Sequence, residues 1–91
     1  MNAPKQQIGL QADLEDILGS LHFARRSGDL GRLALLTYWE VRRWARAAHQ
    51  ELLAEHAAQL ITEHPHPTRV EFLKIVDGVI AELESIQRNL H

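Results

Sequence analysis

No cysteine occurs in the 91 residues, so neither a disulfide framework nor a thiolate metal site is available, and packing has to hold the fold. Long apolar runs are lacking as well. No segment approaches the roughly 20 consecutive apolar residues that a membrane span requires, and the stretch from Met1 to Gly9 has no apolar core of signal-peptide length. These absences make a cytoplasmic protein with no membrane partner the expectation. Proline and glycine are sparse, at three and five, which leaves long tracts without a helix breaker. There is no glycine-rich phosphate loop, no cysteine nucleophile and no carboxylate pair in a recognisable setting, so the sequence predicts neither an enzyme nor a cofactor.

What is present is charge, unevenly placed. The formal net charge is only −2. Yet Arg25, Arg26, Arg32, Arg42, Arg43 and Arg46 stand against only Asp29 and Glu40 over residues 25–46, for a local +4. The flanks are acidic, with Asp13, Glu15 and Asp16 before this stretch and Glu51, Glu55, Glu63, Glu71, Asp77, Glu82 and Glu84 after it. A basic middle with acidic segments in the same chain can satisfy itself as readily as it can bind an outside polyanion.

Apolar spacing predicts an all-α domain over residues 10–91, preceded by a loose tail over 1–9. Leu10, Leu14, Ile17, Leu21 and Ala24 recur every three or four residues and predict a helix over about 10–26 with one narrow apolar stripe. Ser27-Gly28-Asp29 reads as a stop followed by a cap. From there to His64 no residue is a strong breaker, so one long helix over about 30–64 is expected, roughly 50 Å in length. His64-Pro65-His66-Pro67 ends it, and Thr68 with Glu71 forms a capping-box signature for a third helix over about 68–89, which Pro67 and Phe72 could staple.

The long second helix carries two apolar faces. Leu30, Ala34, Thr37, Val41, Trp44, Ala45, Ala48 and Leu52 share one sector; Leu53, Ala57, Leu60 and Ile61 lie nearly opposite, in the sector that also holds Leu35, Leu36 and Trp39. The third helix is apolar over an arc of roughly 160°, running through Phe72, Leu73, Ile75, Val76, Val79, Ile80, Leu83, Ile86 and Leu90. A short first helix cannot cover that arc. The expectation is a three-helix bundle with a long central helix that forms a homodimer through its second and third helices.

Six histidines raise the question of a metal site. His49 and His56 would share a face of one helix, but a seven-residue interval separates them by about 10.5 Å along the axis, and no Glu-x-x-His pair lies inside a helix. No metal site is expected. The aromatic-arginine stretch Tyr38 to His49 divides on the helical wheel: Val41 and Trp44 point inward, whereas Trp39 points about 140° away from Trp44 and stands with Arg42, Arg43 and Arg46. Trp39, Arg42, Arg43, Arg46, Leu35 and Leu36 are therefore the candidate partner-binding residues. They suit a non-enzymatic interaction module, an adaptor, chaperone-like or regulatory protein that pairs with itself and with another protein. The alternative is a nucleic-acid-binding regulator using the arginines of 25–46, although the acidic overall charge and the missing recognition-helix pair weigh against it.

Overall fold

The Ser27-Gly28-Asp29 signal folds as its chemistry requires. Helix α1 (Ala3–Ser27) ends in a Schellman turn, in which Gly28 takes φ +68°, its N–H donates to the Arg25 carbonyl at 3.3 Å and the Asp29 N–H donates to the Ala24 carbonyl at 3.0 Å. Asp29 then caps the next helix by accepting a hydrogen bond from the Arg32 N–H at 3.1 Å. The structure is a computed structural model that describes residues 3–62 and 68–89, with side chains over 9–59 and 68–89. Helix α1 is already helical at Ala3, where the sequence predicts a tail through Gly9. Pro4 is tolerated in a first turn, which lacks intrahelical N–H partners in any case, and Lys5, Gln6 and Gln7 are good helix formers.

The expected single helix over 30–64 is two helices. Helix α2 spans 30–47 and consists of α-helical Leu30–Leu35, a π-helical turn Leu36–Val41 and α-helical Arg42–Ala47. It stops in a second Schellman turn: the Gln50 N–H reaches the Ala45 carbonyl at 2.7 Å, the His49 N–H reaches the Arg46 carbonyl at 3.2 Å, and His49 itself takes φ +59°. Helix α3 (Glu51–Thr62) then folds back. Helix α4 (Arg69–Asn89) begins with the predicted capping box. The Thr68 N–H and hydroxyl donate to Glu71 Oε1 at 3.2 and 3.0 Å, and the Glu71 N–H donates to Thr68 Oγ1 at 3.1 Å. The turn expected at His64 to Pro67, and the staple on Pro67, lie outside the described residues.

The π-turn has a cause in the spacing. Leu33, Thr37, Val41 and Ala45 follow one another at strict four-residue intervals and all are fully buried. On a regular α-helix each such step advances about 40°, so the row would rotate out of the core within three steps. One wider turn, with i→i+5 closure, absorbs the drift and keeps all four inward.

Among the described residues there are four helices and no strand. They pack in a ring: α1 against α2, α2 against α3, α3 against α4, and α4 back against α1. Each helix contributes to one core through Leu14 and Leu21, Leu33 and Val41, Leu53 and Ala57, and Val76 and Leu83. The ring corrects the ground on which a homodimer through the second and third helices is expected. Apart from Leu90, which lies outside the described residues, the broad apolar arc of α4 is covered within one chain, because the turn at 48–50 lays α3 along one flank while α1 takes the other. Val76, Val79, Ile80 and Leu83 are buried, and Phe72, Leu73, Ile75 and Ile86 pack partly against them. Leu52 changes sides for the same reason, since it lies beyond the turn and is exposed.

Candidate interaction face between α1 and α2

The two tryptophans part as the helical wheel predicts. Trp44 is 4% exposed, and its indole N–H crosses to α1 to donate to the Leu10 carbonyl at 2.8 Å. Trp39 is 61% exposed. Leu35, one turn earlier on the same outward row, is 56% exposed. Leu36, expected with them, is instead 8% exposed and joins the core, leaving only an edge toward the surface. Its neighbour Leu35 takes the outward place because the buried row through Leu33 and Thr37 fixes the rotation of the helix.

The arginines are distributed differently from the expected cluster over Trp39. Arg42 places its guanidinium carbon 4.5 Å from the centroid of the Tyr38 ring, and Tyr38 meets Trp39 edge-on at 6.0 Å between centroids. The π-turn accounts for this. A wider turn carries the i+3 residue away from Trp39 and leaves the i+4 residue over Tyr38. Arg43 bonds Glu40 at 2.8 Å, and Arg46 is exposed. Arg25, at the start of the basic stretch, is held by Asp77 of α4 through two hydrogen bonds of 2.9 and 3.2 Å. Those bonds, and then the aspartate's charge, push the guanidinium pKa further above its ordinary value.

A shallow groove runs between α1 and α2. Toward one end it is bordered by Glu15, Gly19, Ser20, Phe23 and Arg32, in the middle by Asp16, Ile17, Leu35, Leu36 and Glu40, and toward the other end by Leu10, Asp13, Arg43 and Trp44. Phe23 on the α1 side is 63% exposed and borders the cleft next to the one that Leu35 lines. Phe23 and Asp16 of α1 and Arg32 of α2 are not among the site residues that the sequence predicts. An aromatic residue off the narrow apolar stripe of α1 was the signal for the first of them.

Charge separates this face from the opposite side of the ring. There the carboxylates of α4 are taken by neighbouring helices: Glu84 by His22 of α1 at 3.1 Å, Asp77 by Arg25, and Glu82 by His56 of α3 at 2.6 Å. On the groove face, among the described residues, Asp13, Glu15, Asp16 and Arg32 enter no salt bridge. His49 and His56 no longer share a helix, since one occupies the turn and the other bonds Glu82. Among the described residues no three potential metal-ligating side chains converge, and no helix is long and apolar enough to cross a membrane.

The chain matches no protein-family model, no curated protein and no solved structure. The groove face is therefore interpreted from its own chemistry. Exposed Phe23 and Leu35 line the groove and Trp39 stands one turn beyond Leu35, with unpaired acids along α1 and unpaired Arg32 on α2. Such a surface can bury aromatic and aliphatic area and orient what it buries by charge.

Proposed function

We propose that this chain is a non-enzymatic protein–protein interaction module of the cytoplasm, an adaptor or regulatory component that works through the α1/α2 groove face. This reading is carried by the large exposed apolar side chains at one groove, Phe23 and Leu35 in its lining and Trp39 one turn beyond Leu35 on α2. Isolated exposed apolar residues need no explanation, but two in one groove with a third beside them on the helix form a patch of the kind that marks a contact site. The arginine-rich alternative is weakened by commitments inside the chain: Arg25 and Arg43 are paired with carboxylates and Arg42 stacks on Tyr38.

The test compares Trp39→Ala with Trp44→Ala. Trp39→Ala is expected to leave helicity and melting temperature nearly unchanged and to abolish stable capture of a protein partner, be it another protein or a second copy. Trp44→Ala is expected to cost about 3–5 kcal/mol as a core truncation. Undiminished capture by Trp39→Ala, or retention of nucleic acid alone at moderate salt, overturns the proposal.

A further inference from the structure

Resting on that reading of the groove face, we infer that its occupant is a second copy of this chain, related by a twofold axis that runs along the groove. Charges without ion-pair partners line both edges of the groove. The α1 edge carries Asp13, Glu15 and Asp16 without ion-pair partners among the described residues, while Arg32 on the α2 edge is likewise unpaired and Glu40 is neutralised by Arg43. One edge is therefore acidic and the other basic, with exposed Phe23, Leu35 and Trp39 on the same surface. A patch of that form is complementary to itself, which a twofold interface demands.

The placement of the charges also selects the axis. In a face-to-face dimer an axis running across the groove would set α1 on α1 and bring acid against acid. An axis running along the groove sets α1 of one protomer on α2 of the other and preserves height along the groove. Asp16 and Arg32 border two clefts in common, and Asp13 and Arg43 border a third. The second axis therefore lays the α1 edge that carries Asp16 along the α2 edge that carries Arg32 in the second copy, twice over by symmetry.

Backbone composition fits close approach at this place. Gly19 lies in the middle of α1 and borders the cleft beside Asp16 and Phe23, and a Cβ built there would meet nothing within 4 Å. Nothing within the protomer requires glycine there, and it weakens the helix by about 0.5–1 kcal/mol relative to alanine. Its place on the groove face lets a second helix come near. A 91-residue chain, which buries a modest share of its surface, also gains stability from a partner subunit.

The experiment is a charge swap read by light scattering and sedimentation at micromolar concentrations. The intact chain is expected to be dimeric. Asp16→Arg and Arg32→Asp, both at exposed positions, should each keep native helicity by circular dichroism and weaken the dimer at least tenfold. Mixed in equal amounts, these two variants should form a heterodimer, because Arg then faces Asp at both symmetric contacts. The double variant in one chain should recover a homodimer. A monomeric intact chain overturns the inference, as does a dimer indifferent to either single change or a mixture that fails to associate. If the intact chain is monomeric yet Trp39-dependent capture of another protein persists, the inference fails while the interaction-module reading stands; loss of both removes both.

Discussion

His49 holds a left-handed backbone, φ +59°, at a position where the Schellman turn ordinarily takes glycine. A side chain at such a position costs about 1–2 kcal/mol, and glycine gives back part of that gain, about 0.5–1 kcal/mol, through its freer unfolded chain. His49→Gly is therefore expected to stabilise the protein by about 0.5–1 kcal/mol, seen as a higher urea midpoint with an unchanged slope. A drop in the midpoint would mean that the imidazole makes a compensating contact. Thr37 poses the opposite kind of defect. It is fully buried in the π-turn, and its hydroxyl has no hydrogen-bond partner. An unsatisfied buried donor costs about 1–3 kcal/mol, so the nearly isosteric Thr37→Val should raise stability by about 1 kcal/mol or more. Destabilisation would show that the hydroxyl is partnered in solution.

Helix ends and helix interiors ask different things of the same residue type, and alanine substitution should separate them. Gly28 closes α1 at φ +68°, so Gly28→Ala is strained and expected to cost about 1 kcal/mol. Gly78 lies exposed within α4 with open space where a Cβ would go, so Gly78→Ala should gain about 0.5–1 kcal/mol. Thermal melts that move in the same direction for both would refute this assignment. The Gly28 turn, the Asp29 cap and the Thr68–Glu71 box were legible in the sequence because each depends on neighbours within a few residues. So was the division of Trp39 from Trp44, which needs only the helical period. The turn at 48–50 was not, since Ala48-His49-Gln50 contains no glycine or proline and its left-handed residue is sustained by tertiary packing. Its trace was nonetheless present: the apolar stripe ends at Leu52, and Leu53 and Ala57 lie in the opposite sector. One helix meeting two neighbours and two helices joined by a turn give the same pattern, and the left-handed backbone at His49, with Leu53 buried and Leu52 exposed, distinguishes them. The π-turn escaped for a related reason. Four-residue spacing through Leu33, Thr37, Val41 and Ala45 conflicts with a regular helix, and the core settles the conflict by widening the helix rather than by moving a side chain outward. That choice also turned Leu36 inward and drew Arg42 toward Tyr38, two features of the candidate site that a regular wheel misplaces.

At the scale of the whole molecule the ring has no terminal layer, because α4 closes it by packing on both α1 and α3. A helix pair removed from such a ring leaves the remaining pair with its apolar stripes open to water. Neither pair is expected to stand alone, given that small domains retain only about 5–15 kcal/mol in total. Leu83 tests this. It is fully buried on α4, whereas Trp44 reports on the distant α1–α2 contact through its bond to Leu10. Leu83→Ala should remove about 2–5 kcal/mol. Since the exposed Trp39 also emits, unfolding is best followed in a Trp39→Phe background, where indole fluorescence reports Trp44 alone. If the ring folds as a unit, the loss at Leu83 moves the Trp44 fluorescence transition and the far-ultraviolet helical transition to the same lower urea concentration. If the α1–α2 pair folds independently, the Trp44 transition stays in place while part of the helical signal is lost earlier. Coincident transitions would mean that the groove face is held rigid by helices that do not border it, so that a substitution in α4 can weaken binding between α1 and α2 solely by lowering the folded population.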